Sequence, residues 1–377
     1  MALTNKLTAI ADSIRAKTGS TNKLTLDEMP TAISNISSGG GDLPEEALNI
    51  TGSCRIMFAN GNWDWFINHY GNRVTTSSIT DADSMFSKSK VTNIPFYINL
   101  DNNNSASLSY TFNECSNLES PPYITGKISR CDRMFFNCHR LNYIPEDWAT
   151  KIDWSNQSGY SISNVFYGCY SLKKIPQNLI GSIVLSNTGT SSSHYPYDWQ
   201  YTNCYVLEEI RNIPVSYRSS GNTSGLFYET FKNCHRLKSL TFKTNDNGTP
   251  IVSKWKSQTI NISEYVGYAS DRGYITNFNS GLTTATQITD DASYQSLKNN
   301  PDSWTTLIQY SRYNHDSAVE TINSLPDTSA YLATDGGTNT IKFTGASGSA
   351  TDGGAINTLT EAEIAVATAK GWTVSIV

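Results

Sequence analysis

RMFFNCHRLNYIP at residues 133–145 and NVFYGCYSLKKIP at residues 164–176 carry one apolar frame, and the reading of the chain starts from it. Phe135, Cys138, Leu141 and Ile144 in the first stretch match Phe166, Cys169, Leu172 and Ile175 in the second. ETFKNCHRLKSL repeats the frame with Phe231, Cys234, Leu237 and Leu240, and QYTNCYVLEEI with Tyr201, Cys204, Leu207 and Ile210. YTFNECSNLESP keeps Phe112, Cys115 and Leu118 and places Pro121 where the last apolar residue belongs. SMFSKSKVTNIP is degraded: Phe86, Ile94 and Pro95 remain, Ser89 stands at the cysteine position, and one residue is missing before the isoleucine. A weaker echo lies at Met57-Phe58.

An apolar residue at every third position fits neither a strand's period of two nor a long helix's period of 3.6. It fits a chain coiling around a common core. The aromatic positions 86, 112, 135, 166, 201 and 231 are unevenly spaced, so one unit recurs while its connecting loop varies. The reading predicts a short helical turn for Phe-x-x-Cys and a short strand for Leu-x-x-Ile, with Pro95, Pro145 and Pro176 ending strands and the strands stacking in parallel.

Five of the seven cysteines follow from that frame, and each has a plain structural reading, because a thiol packs as a small apolar group and is among the most often buried types. The rival reading is a metal or redox site. His139 and His235 each follow a repeat cysteine, but zinc needs four converging ligands at paired C-x(2-4)-C or H-x(3-5)-H spacings, and no such pairing occurs. No metal and no cofactor is expected. An odd number of thiols without a secretion signal also argues against a disulfide framework.

The units resemble BspA-type leucine-rich repeats, found in bacterial surface proteins and in many phage-encoded proteins, over about residues 80–245. That resemblance implies a curved scaffold used for binding or adhesion and brings no catalytic residue. The expected fold is an α/β solenoid of irregular BspA-type leucine-rich repeats with short parallel strands, preceded by a small helical N-terminal module.

Residues 1–36 read as two short helices. Leu3, Leu7, Ile10 and Ile14 share one helical face, and Thr25 with Glu28 has the spacing of a capping box. Ser37-Ser38-Gly39-Gly40-Gly41 then reads as a linker (37–42). Two such helices bury too little to stand alone, so they need a partner: a second copy, another protein or the following domain. LTNKLTAIADSIRAKTGSTNKLTLDEMPTAISNI resembles the N-terminal module on structural proteins of phages that infect low-GC Gram-positive bacteria and related gut hosts. It implies attachment to other virion proteins through that helical face, with assembly in the bacterial cytoplasm of the host and a homo-oligomeric state.

The remaining divisions are an N-terminal repeat cap (43–80), the repeats (81–289) and a C-terminal region (290–377). In the last, Asp290-Asp291 precedes one helical stretch, and Asn314 or Asp316 caps another that ends before Pro326. Thr360 and Glu363 form a capping box, Gly371 stops that helix, and a strand follows over 373–377. The segment reads as the cap such a stack requires, and its phrases resemble the terminal part of phage-encoded repeat proteins.

Aromatic residues supply the candidate ligand site. Trp63 and Trp65 near Tyr70 read either as core or as a flat platform for sugar rings, and Trp148 and Trp154, between two units, as the more exposed pair. The formal charge of -5 gives no reason to approach nucleic acid, and no window of 18 apolar residues suggests membrane insertion. Asp81 with Asp83, and Glu208 with Glu209, are the carboxylate pairs a glycosidase reading could use, but adjacent charges on a solvated face are the ordinary case. Gly336-Gly337 and Gly353-Gly354 lack a phosphate loop's setting and read as turns. No catalytic residue is assigned. The expectation is a non-enzymatic tail or baseplate protein binding a host cell-surface glycan or protein. An architectural virion decoration and a polysaccharide-degrading tail enzyme are the alternatives.

Overall fold

The segments around Phe58, Phe86, Phe112, Phe135 and Phe166 fold as tight turns, because the residues two before and two after the ring both take left-handed backbone. Ile56 and Asn60 flank Phe58 in this way, Ser84 and Lys88 flank Phe86, Tyr110 and Glu114 flank Phe112, Arg133 and Asn137 flank Phe135, and Asn164 and Gly168 flank Phe166, with φ from +53° to +72°. A helix cannot propagate through such residues. At Gly168 a Cβ would also collide with Asn137 Oδ1 of the preceding turn, so glycine is required there.

The computed structural model describes residues 48–101, 106–154, 163–176, 200–204, 207–213, 237–262, 315–343 and 359–376, together with 8, 11–12, 14–15, 179, 215, 230–231, 234, 274–276, 286–287 and 306–307. Within them the turns stack one on the next. Ring centroids are 4.9 Å apart for Phe58–Phe86, 5.7 Å for Phe86–Phe112, 5.3 Å for Phe112–Phe135, 5.8 Å for Phe135–Phe166, 6.1 Å for Phe166–Tyr201 and 6.4 Å for Tyr201–Phe231, all near-parallel. Backbone bonds follow the same step. The amide of each ring residue donates to the carbonyl just before the next ring: Phe58 to Met85, Phe86 to Thr111, Phe112 to Met134, Phe135 to Val165, Phe166 to Gln200 and Tyr201 to Thr230, at 2.7–3.2 Å. The echo at Met57-Phe58 is therefore the first turn of the stack.

The strands correct the expected fold class. They are β1 (Asn49–Ser53), β2 (Thr75–Asp81), β3 (Ile98–Asn99), β4 (Ala106–Ser107), β5 (Ile124–Arg130), β6 (Ile152–Asp153), β7 (Glu209–Ile213), β8 (Ser239–Phe242), β9 (Thr259–Asn261), β10 (Tyr274–Thr276), β11 (Thr286–Gln287), β12 (Thr306–Leu307), β13 (Asn339–Phe343) and β14 (Trp372–Ile376). Among the described residues they form separate sheets of two to four strands: β1-β2, β3-β5-β4 with β6 on β5, β7-β8, β14-β13-β9 and β11-β10-β12. The last is antiparallel and the others parallel. No continuous sheet runs along the repeats, so the α/β solenoid is not what these residues form. Nor is Leu-x-x-Ile a strand in the units at Phe86, Phe112 and Phe135. There β3 and β6 follow Pro95 and Pro145, which were expected to end strands, and β5 follows Pro122. The cause is register: unequal loops and bulges at Gly52, between Ala106 and Ser107, and between Ile210 and Ile213 interrupt pairing, while the turn bonds carry on.

After the N-terminal module, four α-helices are described, α1 (Asp64–Tyr70), α2 (His315–Ser324), α3 (Ser329–Asp335) and α4 (Glu361–Ala369), with short 3-10 turns at Gly71–Arg73 and Trp148–Lys151. α2 lies against the open edge of β8. Ser317, Thr321 and Ser324 lie on one helical face, and their hydroxyls donate to Lys238 O at 2.6 Å, donate to Leu240 O at 2.6 Å and accept from Phe242 N at 3.0 Å, respectively. Lys370 Nζ closes the far end of α2 on the carbonyls of Ile322 and Asn323. α4 has its capping box, with Thr360 N donating to Glu363 Oε2 at 2.7 Å and Glu363 N to Thr360 Oγ1 at 3.3 Å. Gly371, at φ +82°, stops it where a Cβ would meet Thr328 and Leu332 at 2.8–2.9 Å. The strand after it starts at Trp372, one residue earlier than expected, and α3 and β13 were not foreseen. β9, assigned to the repeats, pairs with β13, so this sheet crosses the boundary drawn at 289/290.

Of the N-terminal module, Thr8, Ala11, Asp12, Ile14 and Arg15 are helical, and Arg15 pairs with Asp12. Ile14 is buried within the chain, which removes it from an open docking face. Leu3, Leu7, Ile10, the second helix with Thr25 and Glu28, the glycine linker, the segment after Asp290, His235 and Gly353-Gly354 lie outside the described residues.

Candidate ligand-binding surface

The thiols are wall material. All seven are free and buried. The sulfur of each repeat cysteine donates to the carbonyl of the previous ring residue: Cys115 to Phe86 at 2.9 Å, Cys138 to Phe112 at 3.0 Å, and Cys169 to Phe135, Cys204 to Phe166 and Cys234 to Tyr201 at 3.1 Å. Ser89, in the same place, donates to Gly61 O at 3.2 Å. Burial pushes these thiols well above their ordinary range, which makes them poor nucleophiles and poor metal ligands. His139 stacks flat on Tyr170 at 4.3 Å.

The tryptophans are corrected. Trp148 is fully buried with its indole N–H on Pro122 O at 2.8 Å, and Trp154 is 7% exposed with its N–H on Ala149 O at 2.9 Å. Trp63 is buried edge-on to Phe58, and half-buried Trp65 packs on the core edge-on to Phe66. Since the connecting segments fold back over the stack, their large rings turn inward, and none of the four is an open platform.

The carboxylate pairs are also occupied. Asp81 Oδ1 accepts from Asp83 N at 2.9 Å, and Asp83 Oδ1 accepts from Ser84 Oγ at 2.7 Å, fixing the turn before Phe86. Glu208 sits between Lys238 at 2.9 Å and Lys173 at 3.7 Å, and Glu209 pairs with Arg211.

What varies from unit to unit lies beside these fixed positions. The residue after the ring is Ala59, Ser87, Asn113, Phe136, Tyr167 and Thr202 in successive units. The one after the cysteine position is Asn62, Lys90, Ser116, His139, Tyr170 and Tyr205. Phe136 and Tyr167 stack at 4.7 Å, and Arg133 lies over Phe136 and Tyr110.

A second group sits just ahead of strands β3, β5 and β6. Tyr97 and Tyr123 stack at 5.4 Å, Lys151 Nζ lies 4.1 Å from the Tyr123 centroid and 5.4 Å from that of Tyr97, and Tyr123 OH donates to Asp147 Oδ1 at 2.8 Å. That bond to Asp147 is the main cause of the raised pKa of Tyr123, to which Tyr97 and Tyr143 add. Sequence reasoning missed this group. Its signal is a tyrosine two residues after a proline in successive units, Pro95 to Tyr97 and Pro121 to Tyr123.

No family model, curated protein or solved structure matches this chain.

Proposed function

We propose that this is a non-enzymatic virion protein of a bacteriophage, displayed on the tail or baseplate, whose repeat region binds a host-surface glycan or protein. The observation that carries the binding half is the division within each unit. The stacked rings recur from Phe58 to Phe231 and the donating thiols from Cys115 to Cys234, while the residues beside them change from Ala and Ser to Phe, Tyr, Lys and His. A rigid lattice with variable side chains supplies specificity at low ordering cost, and many copies per particle raise avidity.

The virion half rests on the resemblance of residues 3–36 to a phage structural module. In this reading the module docks on other virion proteins and assembles the chain as a homo-oligomer. The full-length protein should be present in purified particles and should bind host cells in a strain-dependent way. Particles lacking it should assemble but fail to adsorb. Failure of assembly would instead mark an architectural part, and equal binding to non-host cells would remove the receptor role.

A further inference from the structure

We infer that Tyr97, Tyr123, Tyr143, Asp147 and Lys151 form a subsite for a neutral pyranose sugar; this deepens the binding role proposed above and rests on it. Tyr97 is 44% exposed and Tyr143 52%, and they are the exposed tyrosine, tryptophan or phenylalanine side chains among the residues whose burial is described. Large rings left in water, where the described tryptophans turn inward, mark a contact surface.

The arrangement is built before any ligand arrives. Tyr123 is held from three sides: by the Tyr97 ring at 5.4 Å, by Lys151 Nζ at 4.1 Å from its centroid, and by Asp147 through its hydroxyl at 2.8 Å. Lys151 is tethered in turn to Asp147 Oδ2 at 3.9 Å. The ring of Tyr97 is thereby fixed as one flat element while much of it stays in solvent, and Tyr143, near enough to act electrostatically on the Tyr123 phenol, supplies a second exposed ring. Little side-chain entropy remains to be lost on binding.

The chemistry selects the ligand class. Flat rings accept the C–H face of a pyranose, the phenol hydroxyls donate and accept, and Asp147 keeps acceptor capacity beyond its bond to Tyr123 for equatorial hydroxyls. The ammonium of Lys151 is balanced by the carboxylate of Asp147, and nearby Glu146 is paired with Lys174 at 3.3 Å. The patch has no excess positive charge and the whole chain carries -5, so it offers nothing to a polyanion. A neutral sugar fits both features.

The test titrates the full-length protein with maltohexaose, cellohexaose, chitopentaose and heparin by calorimetry. At least one of the three neutral oligosaccharides should bind saturably and heparin should not. Tyr97→Ala and Tyr143→Ala should each weaken that binding by about tenfold, as loss of a stacking ring does, with Tyr97→Phe within about twofold of the parent. Both rings are exposed, so the variants should keep the parent's thermal midpoint. No saturable neutral binding, equal affinity in the alanine variants, or binding of heparin alone overturns the subsite. Host-cell binding that survives in both alanine variants would leave the receptor role standing and point that role to a protein partner elsewhere on the surface. Sugar binding without host-cell binding would do the reverse.

Discussion

The repeat turns from Phe58 to Phe231 and the C-terminal sheet β9-β13-β14 both place parallel segments side by side, and they hold them by different means. In the turns, an aromatic ring meets the next ring at 4.9–6.4 Å, and a buried thiol donates across each junction from Phe86 to Phe231. In the C-terminal part, the register is an ordinary ladder from Asn339↔Trp372 to Phe343↔Ile376, with the capped helix α4 against β14. A turn stack tolerates loops of any length because its bonds lie in the turns. A ladder needs strands in step, and here it forms where a helix and a short loop deliver them so. The lesson is that repetition of side chains need not produce repetition of sheet.

The sharpest way to break that comparison is to remove one ring. Phe135 is buried between Phe112 and Phe166 and beside Trp148, so Phe135→Ala loses contacts on both faces. It should cost about 3–5 kcal/mol in denaturant unfolding. Phe136→Ala, one residue on and half-buried, should cost far less. Equal costs would mean that the stack does not carry the region.

Next in size is the junction where the two regimes meet. Thr321 Oγ1 donates to Leu240 O at 2.6 Å on the otherwise open edge of β8. Thr321→Val keeps the shape and strands that carbonyl, at a cost of about 1–3 kcal/mol by the same measurement. A neutral result would show that the helix covers β8 by packing alone.

How much of this was legible follows from which interactions leave a local trace. Phe135, Cys138 and Leu141 announce themselves by spacing, and Thr360 with Glu363 by a capping pair, since both signals lie within one turn of chain. The strands at β3 and β6 are two residues long, set by neighbours about 26 residues away, and no local pattern encodes them. The left-handed residues were partly readable: asparagine or glycine stands two after the ring at Asn60, Asn137, Gly168 and Asn203, but Lys88 and Glu114 give no hint. Trp148 was misjudged because its burial depends on Pro122 O, a partner 26 residues distant.

The thiols give a third test, through pH. Cys138 is raised well above the ordinary 9.0 by burial, so in the folded chain it keeps its proton where the unfolded chain loses it. Its contribution is whole below 9.0 and falls away as pH climbs past that point, by about 1.4 kcal/mol per pH unit. Cys138→Ser has a natural precedent in Ser89, whose hydroxyl occupies the same position. Comparing parent and variant from pH 8 to 10 isolates this thiol, and parallel curves would show that it already ionises in the fold.

The smallest effect belongs to the C-terminal regime and has the opposite kind of pH window. His315 Nε2 lies 3.2 Å from Glu363, the residue that also caps α4, and Nδ1 lies 3.3 Å from Asp316. Bonds to Asp316 and then Glu363 raise the imidazole above 6.5, while the Thr360 amide first, and His315 after it, hold Glu363 below 4.5. A raised histidine stabilises below its unfolded value and loses that contribution as pH rises through the folded one. A lowered carboxylate stabilises above its unfolded value and loses it as pH falls through the folded one. The link between α2 and α4 is therefore strongest between 4.5 and 6.5 and weakens on both sides. Both groups are solvated, so the amplitude is small. His315→Gln should lower the thermal midpoint slightly at pH 5.5 and leave it unchanged at pH 8.5. The same shift at both pH values would mean that the ring acts by packing, and would leave the capping box as what holds the start of α4.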